Sequence, residues 1–158
     1  AAVIMEDDVT LQGDLLMRAS AILDAAPSAE VVKLLNHRTV LHRMFARTSH
    51  GDLVGRCLFG PQGSAACYLV TREGATKLLN ALQEIELPYD IALERGWHTG
   101  INVCTVKDNL LHLSERSLES QIADRARYRS IKLRGYRKIP THIFRLTDLA
   151  RRLKYAFG

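Results

Sequence analysis

Aromatic residues are scarce in this sequence, at 6%, and its only tryptophan is Trp97. That scarcity, with no recognition motif present, argues against a nucleic-acid-binding module, which stacks bases on aromatic side chains. Cysteines number three (Cys57, Cys67 and Cys104), an odd count with no CxxC spacing. This argues against a disulfide framework or a zinc site and predicts free, buried thiols in a reducing cytoplasm. The six histidines show no metal-ligand spacing; His37 and His42 are five apart. No apolar run approaches the roughly 18 residues that span a bilayer. The opening Ala1 to Met5 is too short for a signal peptide and has no basic flank. An apolar strand that begins at once and runs into three acids raises the expectation of an upstream segment missing from this chain.

What is present suits a globular α/β protein. Hydrophobic residues make up 47% and charged residues 25% of 158 positions, enough for one domain with a sizeable core. Charge is unevenly spread. Residues 1–114 hold 10 Lys/Arg against 13 Asp/Glu, whereas residues 115–158 hold 12 against 4. A basic tail on a near-neutral body points to a polyanionic neighbour, either nucleic acid or anionic lipid. With aromatics so sparse, an anionic membrane surface is the favoured partner of the two.

Ala2 to Met5 predicts a short buried strand. Leu15, Leu16, Ala19, Ile22, Leu23 and Ala26 recur at helical spacing, and Pro27 closes that helix. Val31 to Leu35 and Thr39 to Ala46 predict strands. Five residues of Gly or Pro within 49–64 predict a loop. Ala65 to Thr71 predicts a strand, Glu73 to Glu84 a helix, Pro88 to Glu94 a short helix and Ile101 to Val106 a strand. Trp97 falls in a loop after Gly96, where packing is its ordinary role. Residues 115–130 read as polar helix and 131–140 as a basic linker. A basic helix follows over 141–156, with Ile143, Leu146, Leu149, Leu153 and Tyr155 as its apolar face. Such a helix suits either an anionic membrane surface or docking on the body.

Alternating strands and helices argue for an α/β layer fold, whose function sits at the carboxyl ends of strands. Glu6, Asp7 and Asp8 stand at one such end. Alternation along an extended chain puts Glu6 and Asp8 on one face and Asp7 on the other. Two converging carboxylates suit a hard divalent cation, Mn2+ or Mg2+, that bridges to a substrate diphosphate. Asp8 is the first candidate ligand and Glu6 the second. The same acids could equally form a solvated loop or cap the following helix. A receiver domain is excluded, because residues 46–56 offer only Asp52, inside a Gly-rich stretch.

Four segments in order resemble the lipooligosaccharide glycosyltransferases, glycosyltransferase family 25. Ala2-Val3-Ile4-Met5-Glu6-Asp7-Asp8-Val9 is similar to the family's apolar strand followed by EDD. Val31-Val32-Lys33-Leu34 stands where its next strand falls. Gly63 to Leu79, with Tyr68, Val70, Thr71, Gly74 and Ala75, resembles its G-x-x-x-Y-x-[VI]-[ST]-x-x-G-A-x-x-L-L block. Leu87-Pro88-Tyr89-Asp90 is similar to its L-P-x-D element, and Ser120-Gln121-Ile122 to a weaker later one. The family's upstream strand and G-E-x-G-C-x-x-S-H block have no counterpart here, and Lys107-Asp108 stands where a proline is usual.

The resemblance implies a nucleotide-sugar-binding α/β fold of the GT-A type over residues 1–122, with 123–158 as a basic helical extension. It implies inverting, metal-dependent transfer of a hexose, often galactose, from a UDP-sugar to a saccharide or lipid-linked saccharide acceptor. On that reading Glu6 and Asp8 hold the metal, and Asp7 and Asp8 contact the nucleotide. Asp90 is the general base and Glu94, one helical turn on, its reserve. The expected location is cytoplasmic, peripheral on the inner face of the bacterial cytoplasmic membrane. Two other readings stand beside it: a different metal-dependent phosphoryl-transfer enzyme or nuclease, and a non-catalytic glycan-binding remnant.

Overall fold

The computed structural model describes residues 1–84, 86–114 and 138–158. It is a mixed α/β fold built on a six-stranded mixed sheet and closed by a C-terminal helix. The sheet strands are β1 (Ala2–Met5), β3 (Val31–Lys33), β4 (Val40–Arg47), β5 (Leu53–Phe59), β6 (Cys67–Val70) and β7 (Val103–Val106). Their spatial order is β1-β6-β3-β7-β5-β4. Only β3 and β7 pair in parallel; the other neighbours are antiparallel. A second ladder joins β2 (Val9–Thr10) to β8 (His112–Leu113).

Both faces of the central strands are covered. Val32, Leu69 and Cys104 point into one core, shared with Leu15, Ala19 and Ile22 of helix α1 (Leu15–Ala25). Their neighbours Val31, Tyr68, Val70 and Val103 point into the other. There they meet Leu78 of α2 (Arg72–Ala81) and Leu93 of α3 (Tyr89–Leu93). The two-residue period of a strand divides each apolar run between the two cores. α2 begins where Thr71 caps it, its hydroxyl accepting from the Gly74 amide at 3.0 Å. Gly74 has to be glycine, because a Cβ there would lie 2.4 Å from the Glu30 carbonyl oxygen.

The structure departs from the sequence expectations in four places. The stretch 49–64 is not all loop, since it contains the seven-residue strand β5. Gly55 sits within that strand because Arg43 of β4 approaches too closely for a side chain; a Cβ would fall 2.1 Å from its carbonyl oxygen. Trp97 lies in a helical turn, α4 (Gly96–Thr99), not a loop. Strand β1 is an edge strand and half exposed, with Ile4 44% accessible.

The fourth concerns the C-terminal helix, α5 (Ile139–Phe157), which docks only part of its expected apolar face: Tyr155 packs inward and Leu149 and Leu153 are half-buried. Ile143 and Leu146 are exposed, while Arg152 and Ala156 are buried. α5 packs on β5 and α4. It is held by Arg152 to Glu94, by Asp148 to Arg95 at 2.9 Å, and by the Tyr155 hydroxyl donating to the Ile101 carbonyl at 2.8 Å. The expected helix over 115–130, most of the linker and the junction near residue 122 lie outside the described residues. All three cysteines are free and buried. Among the described residues no helix is long and apolar enough to cross a membrane.

Candidate functional site

A cleft of about 370 Å³ opens at the end of β1. Glu6, Asp8, His37, Ser64, Tyr89 and Asp90 line it. Four chain segments, distant in sequence, deliver these groups. The acidic turn is pinned on both sides. The Glu6 amide donates to the Ala66 carbonyl at 2.9 Å, and the Asp8 carbonyl accepts from the Ser114 amide at 2.7 Å. Asp90 arrives at the start of α3, where Pro88 sets the first turn. One Asp90 oxygen accepts from the Ile91 amide at 2.9 Å.

The loop before β6 forms the third wall and is anchored from beneath. The Gln62 side-chain amide donates to Asn36 Oδ1 at 3.2 Å and to Thr105 Oγ1 at 3.1 Å. This ties the loop to the carboxyl ends of β3 and β7. Gly63 then turns with φ +67°, and Lys33 Nζ donates to its carbonyl at 2.8 Å. A Cβ on Gly63 would lie 2.8 Å from the His37 ring, so glycine leaves room for that imidazole in the cleft.

The electrostatics follow from crowding. Burial and the nearby charges of Asp8, Asp7 and Asp90 push the Glu6 pKa up, against a smaller opposing effect of His37. Asp8 Oδ1 is buried with no hydrogen-bond partner among the described residues. Lys33 is fully buried under the loop that forms the third wall. Desolvation pushes its pKa down, while the charges of Glu94 and Asp90 work against that shift. Tyr89 meets Tyr68 through their hydroxyls at 2.9 Å, and burial pushes the Tyr68 phenol well above its ordinary value.

The structure therefore brings Glu6, Asp8 and Asp90 to one cleft. Asp7 is exposed in the same turn and does not line it. Glu94 is elsewhere. It is 3% accessible, and both its oxygens are engaged, one by Arg152 at 2.9 Å and the other by the Gln62 amide at 2.9 Å. Trp97 also lies away from the cleft, edge-on to Tyr155 with ring centroids 5.9 Å apart. His37, Tyr89 and Ser64 were not singled out in the sequence. His37 follows β3, and a residue just past a strand's carboxyl end was the available signal.

Among the described residues no group of three or more His, Cys, Asp and Glu side chains is placed to hold a metal ion alone. The cleft nevertheless suits a hard cation that takes one or two carboxylates and completes its shell with substrate oxygens. Asp8, whose Oδ1 has no partner among the described residues, and the crowded Glu6 are the carboxylates that could serve as donors. No protein-family model matches this chain, and neither the curated proteins nor the solved structures contain a match.

Proposed function

We propose that this chain is the catalytic core of a metal-dependent inverting glycosyltransferase with a GT-A-like fold, transferring a hexose from a UDP-sugar to a saccharide acceptor. The observation that carries this reading is the meeting of Glu6, Asp8 and Asp90 in one cleft, from a strand end and a helix start.

Glu6 and Asp8 are the residues that would hold Mn2+ or Mg2+, and the ion supplies neutralisation of charge on a diphosphate leaving group. Asp90 sits across the cleft with one oxygen held by the Ile91 amide, which fixes its carboxylate. Its other oxygen takes the proton of the acceptor hydroxyl as the hydroxyl oxygen bonds to the anomeric carbon. The bond from the anomeric carbon to UDP breaks on the opposite face, and configuration inverts. His37 and Tyr89 offer hydrogen bonds to the sugar or phosphate from the remaining walls. A lipid-linked acceptor suits the outer side of α5, where Ile139, Ile143 and Leu146 are exposed beside Arg145. That arrangement favours a peripheral position on an anionic, cytoplasmic membrane face.

Calorimetric titration of UDP in the presence of Mn2+ tests the site. The expected result is binding that disappears with chelator and with Asp8→Ala. A folded chain that binds UDP equally without metal, or equally with Asp8→Ala, overturns the reading.

A further inference from the structure

A second cavity, of about 510 Å³, lies between β5, α4 and the last turns of α5, away from the acidic cleft. Arg56, Trp97, His98, Arg151, Lys154 and Tyr155 line it, with Gly158 at its margin. Its charge is one-sided. Arg18, Lys33, Lys77, Arg95 and Arg152 each pair with a carboxylate elsewhere in the fold. Among the described residues Arg56, Arg151 and Lys154 form no such pair.

Arg56 is held in place for this environment. One of its terminal nitrogens donates to the Tyr155 carbonyl at 2.6 Å and the other to Asn102 Oδ1 at 2.7 Å. Its guanidinium lies 4.2 Å over the Tyr155 ring. That leaves Arg56 Nε, which is buried and has no acceptor among the described residues. The indole nitrogen of Trp97 is in the same position. Both groups are donors only, and a water or a bound molecule would supply the acceptor. Beyond those donors, Arg56, Arg151 and Lys154 converge on the cavity with no Asp or Glu among its described lining side chains. A multiply charged oxyanion complements that cluster of cations, and guanidinium groups match phosphate oxygens in geometry.

We propose that this cavity is a binding site for a phosphorylated small molecule. Its phosphate faces Arg56, Arg151 and Lys154, and its remainder lies against Trp97 and Tyr155. The site is independent of the sugar-transfer reading, since it shares no residue with the acidic cleft.

Trp97 is the only tryptophan, so its fluorescence reports on this cavity alone. Pyrophosphate is titrated without divalent metal, against potassium chloride at matched ionic strength. The expected result is a saturable fluorescence change that Asp8→Asn leaves intact. Arg151→Gln and Lys154→Gln, both at exposed positions, should each weaken binding roughly tenfold. Circular dichroism verifies that the variants fold. No saturable change, an equal change with chloride, an unchanged affinity in both glutamine variants, or loss of the signal in Asp8→Asn overturns the proposal.

Discussion

Arg152 and Glu94 form a buried ion pair that joins the C-terminal helix to the sheet domain. Arg152 Nη2 donates to Glu94 Oε1 at 2.9 Å, with the two side chains 5% and 0% accessible. Lys33 Nζ lies 3.8 Å from the other Glu94 oxygen, so one carboxylate serves two buried cations. Removing one member of such a set leaves a charge without its partner in a low dielectric.

Glu94→Gln and Arg152→Ala should therefore each lower stability by about 3–5 kcal/mol. Urea unfolding followed by circular dichroism measures this. The result also decides what Glu94 does. A general base would lose turnover and keep its stability on Glu94→Gln. A structural counter-ion would lose stability first, and that is the outcome its two engaged oxygens predict.

Glu6 gives a pH dependence of defined sign. Its folded-state pKa is raised, by burial first and then by Asp8, Asp7 and Asp90. Between the unfolded and folded values the folded chain binds more protons, so stability falls as pH rises through that window. Glu6→Gln removes the effect. The variant should melt slightly above the parent at pH 7, and the two should converge below the ordinary carboxylate range. The shift is small because Glu6 is exposed to solvent screening. Mn2+ binding to the parent should tighten as pH rises through the same window. Melting curves and metal titrations across pH check both; a parent more stable than Glu6→Gln at neutral pH would contradict the crowding.

Gly63→Ala probes the loop wall of the cleft. A left-handed backbone at φ +67° costs a residue with a Cβ about 1–2 kcal/mol. The added methyl would also meet the His37 ring at 2.8 Å. The variant should show a lower melting temperature and displaced His37 ring resonances, with weaker UDP binding. Unmoved His37 resonances would mean that the imidazole does not depend on this glycine for its place.

Much of the scaffold could be read from periodicity alone. The helical spacing from Leu15 to Ala26 gave α1, and continuous apolar runs gave β3, β6 and β7. Gly-rich composition misled at β5, because a strand tolerates Gly55 where a neighbouring backbone comes close, and that closeness is a property of the pair. The acids of the candidate site were visible as residue types at a strand end. Their grouping with Asp90 and His37 was not, because no local pattern links the end of β1 to the start of α3.

The sequence by itself determined the layer class, most element positions, the free thiols and the basic character of the last helix, because each depends on composition or short-range spacing. Only the tertiary structure decided which charges meet. It buried Glu94 between Lys33 and Arg152, left Asp8 Oδ1 without a partner among the described residues, and turned the Ile143 and Leu146 side of α5 outward. Those outcomes depend on desolvation and on contacts between residues far apart in the chain, which spacing along one segment does not encode.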